Sequence, residues 1–316
     1  MLKREATSLV TFYGISPIHA GAGASTSVVD LPIQRERHTN WPHIQASAVK
    51  GAMRQHFRRY AETVVKDNKK ANEFINYIFG YDGDNDNNKE VHKDTEDTSK
   101  IISNAGIISV SDAKLLAFPM RSNIAPFVHI TSQAVLQRLQ EDLSFCGKSI
   151  NLPQFNITAD QAKWLLTPSN INNNTKIILE DYVVEVVTPE QKLPEEISSY
   201  FNNDIKALLL VSEEVFDYCT SYCTEIQTQI KIDSKTGTAQ DGALRYQELL
   251  PSDTLLYSVV YYSASAFETF FQADMVKKTV EENIKNYIQL GGDETLGRGI
   301  CKISWHNFNE SYGGNQ

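Results

Sequence analysis

Apolar positions follow two different spacings along the chain, and these spacings mark strands and helices. Short runs rich in apolar or β-branched residues predict strands at Leu9–Tyr13, Ala105–Val110, Leu255–Tyr262 and Ile300–Trp305. Between them, apolar residues recur at helical spacing, first from Ser47, a candidate N-cap, to Tyr60, and again over Ala273–Ile288. Strand–helix–strand at both ends of the chain predicts an α+β fold with a ferredoxin-like core.

The middle of the chain is longer than this core needs and is predicted to carry insertions. Lys176–Val187 and Ala207–Val211 are strand-like runs, and Ser212 is placed to cap a helix that ends near Thr224. No internal repeat and no Pro-rich or Ser-rich linker divides the sequence. Residues 1–316 are therefore predicted to form a single domain.

A projecting β-hairpin is predicted after the Ser212 helix. The apolar spacing changes to two between residues 225 and 233, which places Ile226 and Ile230 on one face. A turn signal at 235–238 follows, and Ala243–Leu250 can return as the partner strand. The hairpin is accordingly assigned to residues 225–250.

An acidic segment at residues 82–99 is predicted to be a disordered insertion, because Val91 is its only apolar residue. Its opening resembles a calcium-binding loop. The template fails, however, since Asn87 replaces the glycine at the sixth position and Lys93 replaces the glutamate at the twelfth.

Composition indicates a folded, intracellular protein that does not enter the membrane. The chain is 41% hydrophobic and 22% charged, and it contains neither a signal-peptide core nor an apolar run approaching the ~18 residues of a membrane helix. The four cysteines show no CxxC pair and no zinc spacing. Cys219 and Cys223 are interpreted as core packing in a reducing cytoplasm.

The charge is distributed unevenly. The net charge of −9 argues against a nucleic-acid partner when taken alone, but residues 82–99 hold seven acids and two lysines and so supply −5 of it. Residues 34–59 carry six Lys or Arg side chains against Glu36 alone. Such a basic region suits a phosphate backbone and suits a solvated helix face equally well.

Two segments near the N-terminus are candidates for chemistry. Pro17–Gly23 is a small-residue turn that contains His19, and its glycines allow a ligand to approach the backbone closely. Asp30 stands alone in an irregular loop that Pro32 keeps extended. The Asp30 carboxylate could accept backbone N–H bonds in a turn, hold a divalent ion against a phosphate, or take a proton.

Two further segments are candidates for anion binding. Lys50 and Arg54 are four residues apart and share one helix face near a helix N-terminus. The glycine-rich loop 291–299 lies between a helical pattern and a strand, unlike a P-loop or a dinucleotide fingerprint. Its N–H groups and Arg298 are expected to cradle a backbone phosphate.

Taken together, these segments resemble the RAMP superfamily of CRISPR effector proteins, and within it the repeating backbone subunits of type III-B (Cmr) RNA-targeting complexes. The similarity runs in order through Pro17–Gly23, Val29–Glu36, Ser47–Arg54, Val110–Pro119, Thr236–Thr238, Gly242–Pro251 and Gly291–Gly299. It spans nearly the whole chain. The run from Asp30 to Arg35 is the most specific part, whereas the final glycine-rich loop is shared by the wider superfamily.

The resemblance implies an RRM-like palm with an inserted helical subdomain and a β-hairpin thumb at 225–250. It also implies cleavage of target RNA with a divalent cation, Mg²⁺ or Mn²⁺. Asp30 matches the catalytic aspartate and tentative metal ligand. Accessory catalytic candidates are His19, Tyr246 and Glu248, the last two with an alignment ambiguous by a residue or two. The residues matching the RNA-binding face are Arg35, Ser47, Lys50, Arg54, Gly291, Gly292 and Arg298.

The implied partners are CRISPR RNA, target RNA, further copies of the chain in a filament, and other Cmr subunits. Those subunits are a large polymerase/cyclase-like subunit, small subunits and capping RAMP subunits. Two alternatives remain at this stage: a non-catalytic RNA-binding backbone with an inert Asp30, and a guide-processing ribonuclease of the same superfamily. The complete hairpin and the Asp30 loop favour target cleavage over guide processing.

Overall fold

The computed structural model describes residues 6–64, 67–81, 105–168, 176–187, 191–201, 204–263 and 272–307. The acidic segment 82–99 lies outside them. The strands are β1 (Ala6–Gly14), β2 (His43–Ile44), β3 (Ile108–Val110), β4 (Ala113–Arg121), β5 (Phe127–Ser132), β6 (Gln161–Leu166), β7 (Lys176–Leu179), β8 (Tyr182–Val187), β9 (Leu208–Val211), β10 (Glu225–Gln229), β11 (Arg245–Leu249), β12 (Leu255–Tyr262), β13 (Tyr287–Gln289) and β14 (Ile300–Asn307). The helices are α1 (Ala46–Val64), α2 (Asn68–Phe79), α3 (Gln133–Phe145), α4 (Glu195–Ser198), α5 (Glu213–Tyr222) and α6 (Ala273–Asn283), with 3₁₀ turns at Ser199–Phe201 and Glu294–Leu296.

The two ends of the chain build the predicted ferredoxin-like core. Strands β14, β1 and β12 lie side by side and antiparallel, and β3 and β4 pair with the far edge of β12. Helix α1 follows β1 and helix α6 follows β12, so strand–helix–strand occurs twice. This arrangement confirms the α+β class. Within the described ranges, no helix is both long and apolar enough to cross a bilayer.

Buried apolar side chains, at helical spacing on α1 and along the length of β1, form the core. Helix α1 buries Val49, Met53, Phe57 and Ala61, which are spaced four residues apart and form one stripe along the helix. Strand β1 is buried along almost its whole length, as expected for a central strand of a covered sheet.

The insertion extends the same sheet. Strand β4 continues beyond the core and pairs with β5, after which the order runs β9, β6, β8 and β7. Helices α3 and α5 belong to this inserted lobe, so it contains the predicted helices together with strands. The run 176–187 forms two strands rather than one, because Glu180 adopts a left-handed φ of 50° and the chain reverses there.

Two predicted helix ends differ from the structure. Helix α1 begins at Ala46, so Ser47 lies inside the first turn and cannot be the N-cap; the Asp112 carboxylate accepts the Ala46 N–H at 2.7 Å instead. Helix α6 ends at Asn283, and Asn286 turns the chain with a φ of 67° into β13. Pairing of β13 with β14 overrides the helical spacing of the apolar residues in this region.

Candidate functional site

The predicted hairpin, called the thumb below, is present as β10 and β11. Their register places Ile226 opposite Glu248 and Thr228 opposite Tyr246. Ile226 is 47% exposed and Tyr246 is 38% exposed, so this face of the thumb presents apolar groups to solvent. At its base, Leu249 is fully buried and anchors the thumb in the core.

Asp30 lies at the root of the thumb. Its Oδ2 accepts a hydrogen bond from the backbone N–H of Tyr246 at 2.7 Å. Leu31 continues the pairing with β11, donating its N–H to the Tyr246 carbonyl at 3.1 Å and accepting the Glu248 N–H at 3.0 Å. Among the described residues, none donates a hydrogen bond to Oδ1 of Asp30. The half-buried carboxylate is thus fixed through one oxygen and available through the other.

Glu248 occupies a buried node beneath Asp30. Its Oε1 lies 2.6 Å from Nη2 of Arg35 and 2.7 Å from the Thr224 hydroxyl, and its Oε2 accepts the Ile33 N–H at 3.1 Å. Arg35 also donates to the carbonyls of Asn40 and Thr220. The structure therefore places the predicted accessory acid and the predicted RNA-binding arginine in one internal ion pair.

His19 is attached to the same part of β11. Its Nδ1 lies 2.9 Å from the carbonyl oxygen of Glu248. Because a carbonyl oxygen can only accept, Nδ1 carries the proton in the neutral ring and Nε2 keeps a lone pair. The backbone of His19 also accepts the Gly292 N–H at 2.8 Å, which joins this turn to the glycine-rich loop.

Residue 291 is a glycine because the glycine-rich loop passes very close to the His19 carbonyl. Its φ is +84°, and a Cβ on residue 291 would lie 2.4 Å from the carbonyl oxygen of His19. Only glycine fits both the conformation and the space. The predicted ligand-contacting glycines Gly291 and Gly292 therefore have a structural role in seating His19.

Arg298 connects the glycine-rich loop to the thumb. Its guanidinium pairs with Asp293 at 3.0 Å and donates to the side-chain oxygens of Gln227, at 2.6 Å, and Gln247. The side chain of Arg298 is 12% exposed. In this structure the guanidinium predicted to cradle a phosphate is engaged with protein groups on the inner, glutamine-lined face of the thumb.

The remaining predicted RNA-binding residues lie on α1, away from the thumb root. Lys50 donates to the carbonyl of Ile108 at 3.0 Å, and its burial, together with the neighbouring Arg54, lowers the pKa of the ammonium. Arg54 contacts Asn76 Oδ1 on α2 at 2.5 Å. Ser47 is exposed in the first turn.

Sequence reasoning missed the residues that fix the site, namely Ile33, Thr224, Gln227, Gln247 and Asp293. One signal was available: Gln227 and Gln229 occupy alternate positions of the first hairpin strand and Gln247 lies in the second, which indicates that one face of the thumb packs against polar groups. The Ile33–Glu248 contact has no local signal, since its partners are 215 residues apart.

The donor set at the thumb root limits how a metal could bind. Over the described ranges, no group of three or more His, Cys, Asp or Glu side chains is arranged to hold a metal ion. Of the two carboxylates described at the thumb root, Glu248 is occupied by protein donors and Asp30 keeps one oxygen available. A cation at this site would need most of its ligands from water or from a bound phosphate.

Comparison with known proteins gives a consistent result. The sequence profile of the RAMP superfamily matches residues 11–302. The CRISPR system Cmr endoribonuclease Cmr4 of Pyrococcus furiosus is 32% identical over 308 residues, covering 94% of each chain. The crystal structure of oligomeric Cmr4 from Pyrococcus furiosus superposes with a TM-score of 0.65 at 26% identity, covering 96% of this chain and 99% of that one. A chain of the type III-B Cmr-beta complex bound to cognate target RNA shares the fold, with a TM-score of 0.68 at 21% identity over 96% of this chain and 98% of its own.

Proposed function

Since this chain belongs to the RAMP superfamily, we propose that it is the repeating backbone subunit of a type III-B (Cmr) effector complex and that it cleaves target RNA. The 32% identity to an endoribonuclease extends over 94% of both chains and is not confined to one motif. A palm that carries a thumb, with Asp30 at its root, is the single structural observation that supports cleavage.

The partners follow from the same assignment. The subunit binds CRISPR RNA as a guide, pairs with further copies of itself in a filament and meets target RNA and the other Cmr subunits. Support comes from relatives whose structures are described as oligomeric and as a complex with cognate target RNA. Sequence reading is left to guide–target pairing, so the protein needs backbone contacts rather than base contacts.

The proposed reaction uses the nucleophile that RNA itself carries. A target 2′-hydroxyl attacks the adjacent phosphorus, the bond to the 5′-oxygen breaks, and the products are a 2′,3′-cyclic phosphate and a 5′-hydroxyl. The 2′-proton leaves to a base, and the 5′-oxygen takes up a proton. We assign the Oδ1 side of Asp30 to positioning or accepting the 2′-proton, with Nε2 of His19, whose Nδ1 contacts the Glu248 carbonyl of β11, as a second acceptor.

A divalent cation, Mg²⁺ or Mn²⁺, fits the proposal in a limited way. The free oxygen of Asp30 is a hard ligand of the kind these ions prefer, and the phosphate oxygens of RNA can supply others. When bound, the cation would neutralise charge that develops on the phosphate. Asp30 is the residue that would hold it.

The test is cleavage of complementary RNA by the assembled, guide-loaded complex. Evenly spaced products that end in a 2′,3′-cyclic phosphate, or its hydrolysis product, support the proposal. Replacing the nucleotide 5′ to one scissile bond with its 2′-deoxy form should silence that position alone, because every other position keeps its own 2′-hydroxyl. Undiminished cleavage at the deoxy position would refute attack by the 2′-oxygen. Absence of all cuts would instead favour a purely structural backbone subunit.

A further inference from the structure

We infer that Glu248 is a positioning residue that fixes the Asp30 segment against the thumb, and that it is not an acid, a base or a metal ligand in the reaction. The inference rests on the proposed function for its catalytic consequence. It concerns a carboxylate that resemblance alone grouped with the catalytic candidates.

The first argument is that the protein already occupies the carboxylate of Glu248. Three donors from two segments contact it: the Ile33 N–H and Arg35 from the stretch that follows Asp30, and the Thr224 hydroxyl, at 2.6 to 3.1 Å. Glu248 is 6% exposed. Because both of its oxygens already accept hydrogen bonds from protein donors, the carboxylate has no free oxygen to present to a substrate or an ion. Using it as an acid, or as a metal ligand, would require the ion pair to break.

The second argument is where those donors lie. Ile33 is three residues after Asp30, and the stretch between them is fastened to β11 at both ends. Asp30 accepts the Tyr246 N–H at 2.7 Å, and two residues further along β11 Glu248 accepts the Ile33 N–H at 3.1 Å. The Asp30 segment and β11 thus each contribute one carboxylate that accepts a backbone N–H from the other. Loss of the second contact leaves the segment attached to β11 through Asp30 and Leu31 and removes the attachment at Ile33.

The third argument concerns the other side of Glu248. Through Arg35, the same carboxylate reaches the carbonyls of Asn40 and Thr220, the latter on α5 of the inserted lobe. Thr224, at the foot of β10, donates to Glu248 directly. One side chain therefore fixes the thumb strands, the Asp30 segment and the lobe relative to each other.

Glu248→Gln tests the inference, with Glu36→Gln as a matched control. Glu36 is likewise a partly buried carboxylate that receives an arginine, Arg138 at 2.7 Å, and a threonine hydroxyl, Thr39 at 2.6 Å. Within the part of the chain that the structure describes, no hydrogen bond or ion pair joins the Glu36 side chain to residues 30–33. Hydrogen exchange on the free chain should show faster exchange of the Ile33 and Tyr246 amides in Glu248→Gln and unchanged exchange of both in Glu36→Gln. This measurement needs no RNA and no cleavage.

The guide-loaded complex supplies the second measurement. We expect Glu248→Gln to bind target RNA as wild type does and to lower the single-turnover cleavage rate about 10- to 100-fold, the scale of a misplaced catalytic group. The pH–rate profile should keep its shape, because no titrating group of the reaction has been removed. Loss of a limb of that profile would make Glu248 the acid or base and overturn the inference. Unchanged exchange at Ile33 and Tyr246 would overturn it as well. If wild type does not cut at all, the proposed function fails, and the exchange data alone decide whether Glu248 fixes the Asp30 segment against the thumb.

Discussion

Arg298 and Asp293 form an ion pair of 3.0 Å at the point where the glycine-rich loop meets the thumb. The pair is shielded on one side by glutamines of the hairpin, since Gln227 accepts from the guanidinium and Gln247 donates to Asp293 at 2.7 Å. These contacts attach the glycine-rich loop to the thumb. The Arg298–Asp293 pair together with Gln227 and Gln247 is called the bracket below.

Removing the arginine of this bracket should destabilise the fold. Arg298→Ala leaves the partly buried Asp293 carboxylate with only its Gln247 donor and the Gln227 side-chain oxygen without its arginine donor, which we expect to cost about 1–3 kcal/mol of unfolding free energy. Urea denaturation of the free chain measures it. Arg121→Ala is the control: its pair with Glu180 is 76% exposed on the arginine side, and its loss should change little. Equal effects of the two variants would contradict the bracket.

Gly291→Ala should destabilise the protein by about 1–3 kcal/mol, because the residue has a positive φ and its Cβ would collide with the His19 carbonyl. Gly51→Ala is the comparison: it makes the same chemical change, but it is expected to raise the stability of the protein. Gly51 lies on an exposed face of α1 with open space around its Cβ position, so the alanine should stabilise by about 0.5–1 kcal/mol. Thermal unfolding of both variants gives the comparison, and a stable Gly291→Ala protein would mean that the junction is loose.

Asp30→Asn should abolish every cut in the guide-loaded complex while leaving assembly and target binding close to wild type. The amide keeps an oxygen that can accept the Tyr246 N–H but removes the charge, and the residue is only half-buried, so folding should be little affected. Gel analysis of the products and a filter-binding assay separate the two properties. Cutting by Asp30→Asn at the wild-type rate would move the active site elsewhere.

Lys50→Ala combined with Arg54→Ala should weaken guide binding about equally for all sequences and flatten its salt dependence. The control is Lys69→Ala with Lys70→Ala, which removes the same charge from exposed positions on α2. Binding titrations at several salt concentrations measure both pairs. Because Lys50 and Arg54 also contact Ile108 and Asn76, the folding of the double variant must be checked by circular dichroism. A folded double variant that binds guide RNA like wild type would exclude Lys50 and Arg54 as contacts to the RNA backbone.

Stability should fall as the pH drops below about 6.5. Burial lowers the pKa of His306 to about 4, whereas the unfolded chain has the ordinary value near 6.5. The unfolded state therefore binds more protons between these values, and the loss by pH 4 from His306 is of the order of 2–3 kcal/mol. Burial lowers the pKa of His129 as well, in the same direction. Denaturation of wild type and His306→Gln across this range should give a shallower slope for the variant; parallel curves would refute the assignment.

Local signals explain which parts of the fold could be predicted. Strand β12 has the predicted bounds, Leu255–Tyr262, because its run is almost entirely apolar and polar residues flank it. The first thumb strand was found because its apolar positions alternate, and the second because a turn signal precedes it. The end of α6 was missed because Ile284 and Ile288 are both buried, and burial at that spacing is the same whether the chain continues as a helix or turns into β13.

Sequence patterns nominated Asp30, and the family resemblance added His19, Tyr246, Glu248 and Arg35, but neither predicted the contacts that join these residues. Asp30 is conspicuous in sequence because Pro32 makes its segment irregular. Its neighbours on β11 come from the other end of the chain, and nothing near Glu248 in sequence reveals that Arg35 neutralises it. Long-range pairing of this kind is decided by the fold, so a sequence pattern can nominate Glu248 but cannot separate a reacting carboxylate from a positioning one.

The residues described at the site, Asp30, His19 and the β11 backbone that holds them, all belong to one molecule. Under the proposed function each copy in a row of subunits cleaves with its own Asp30, so each added copy adds one cleavage position. The number of fragments released from a long target then reports how many copies stand in the row. Counting the cleavage products of the RNA on a sequencing gel would therefore measure the number of subunit copies in the complex.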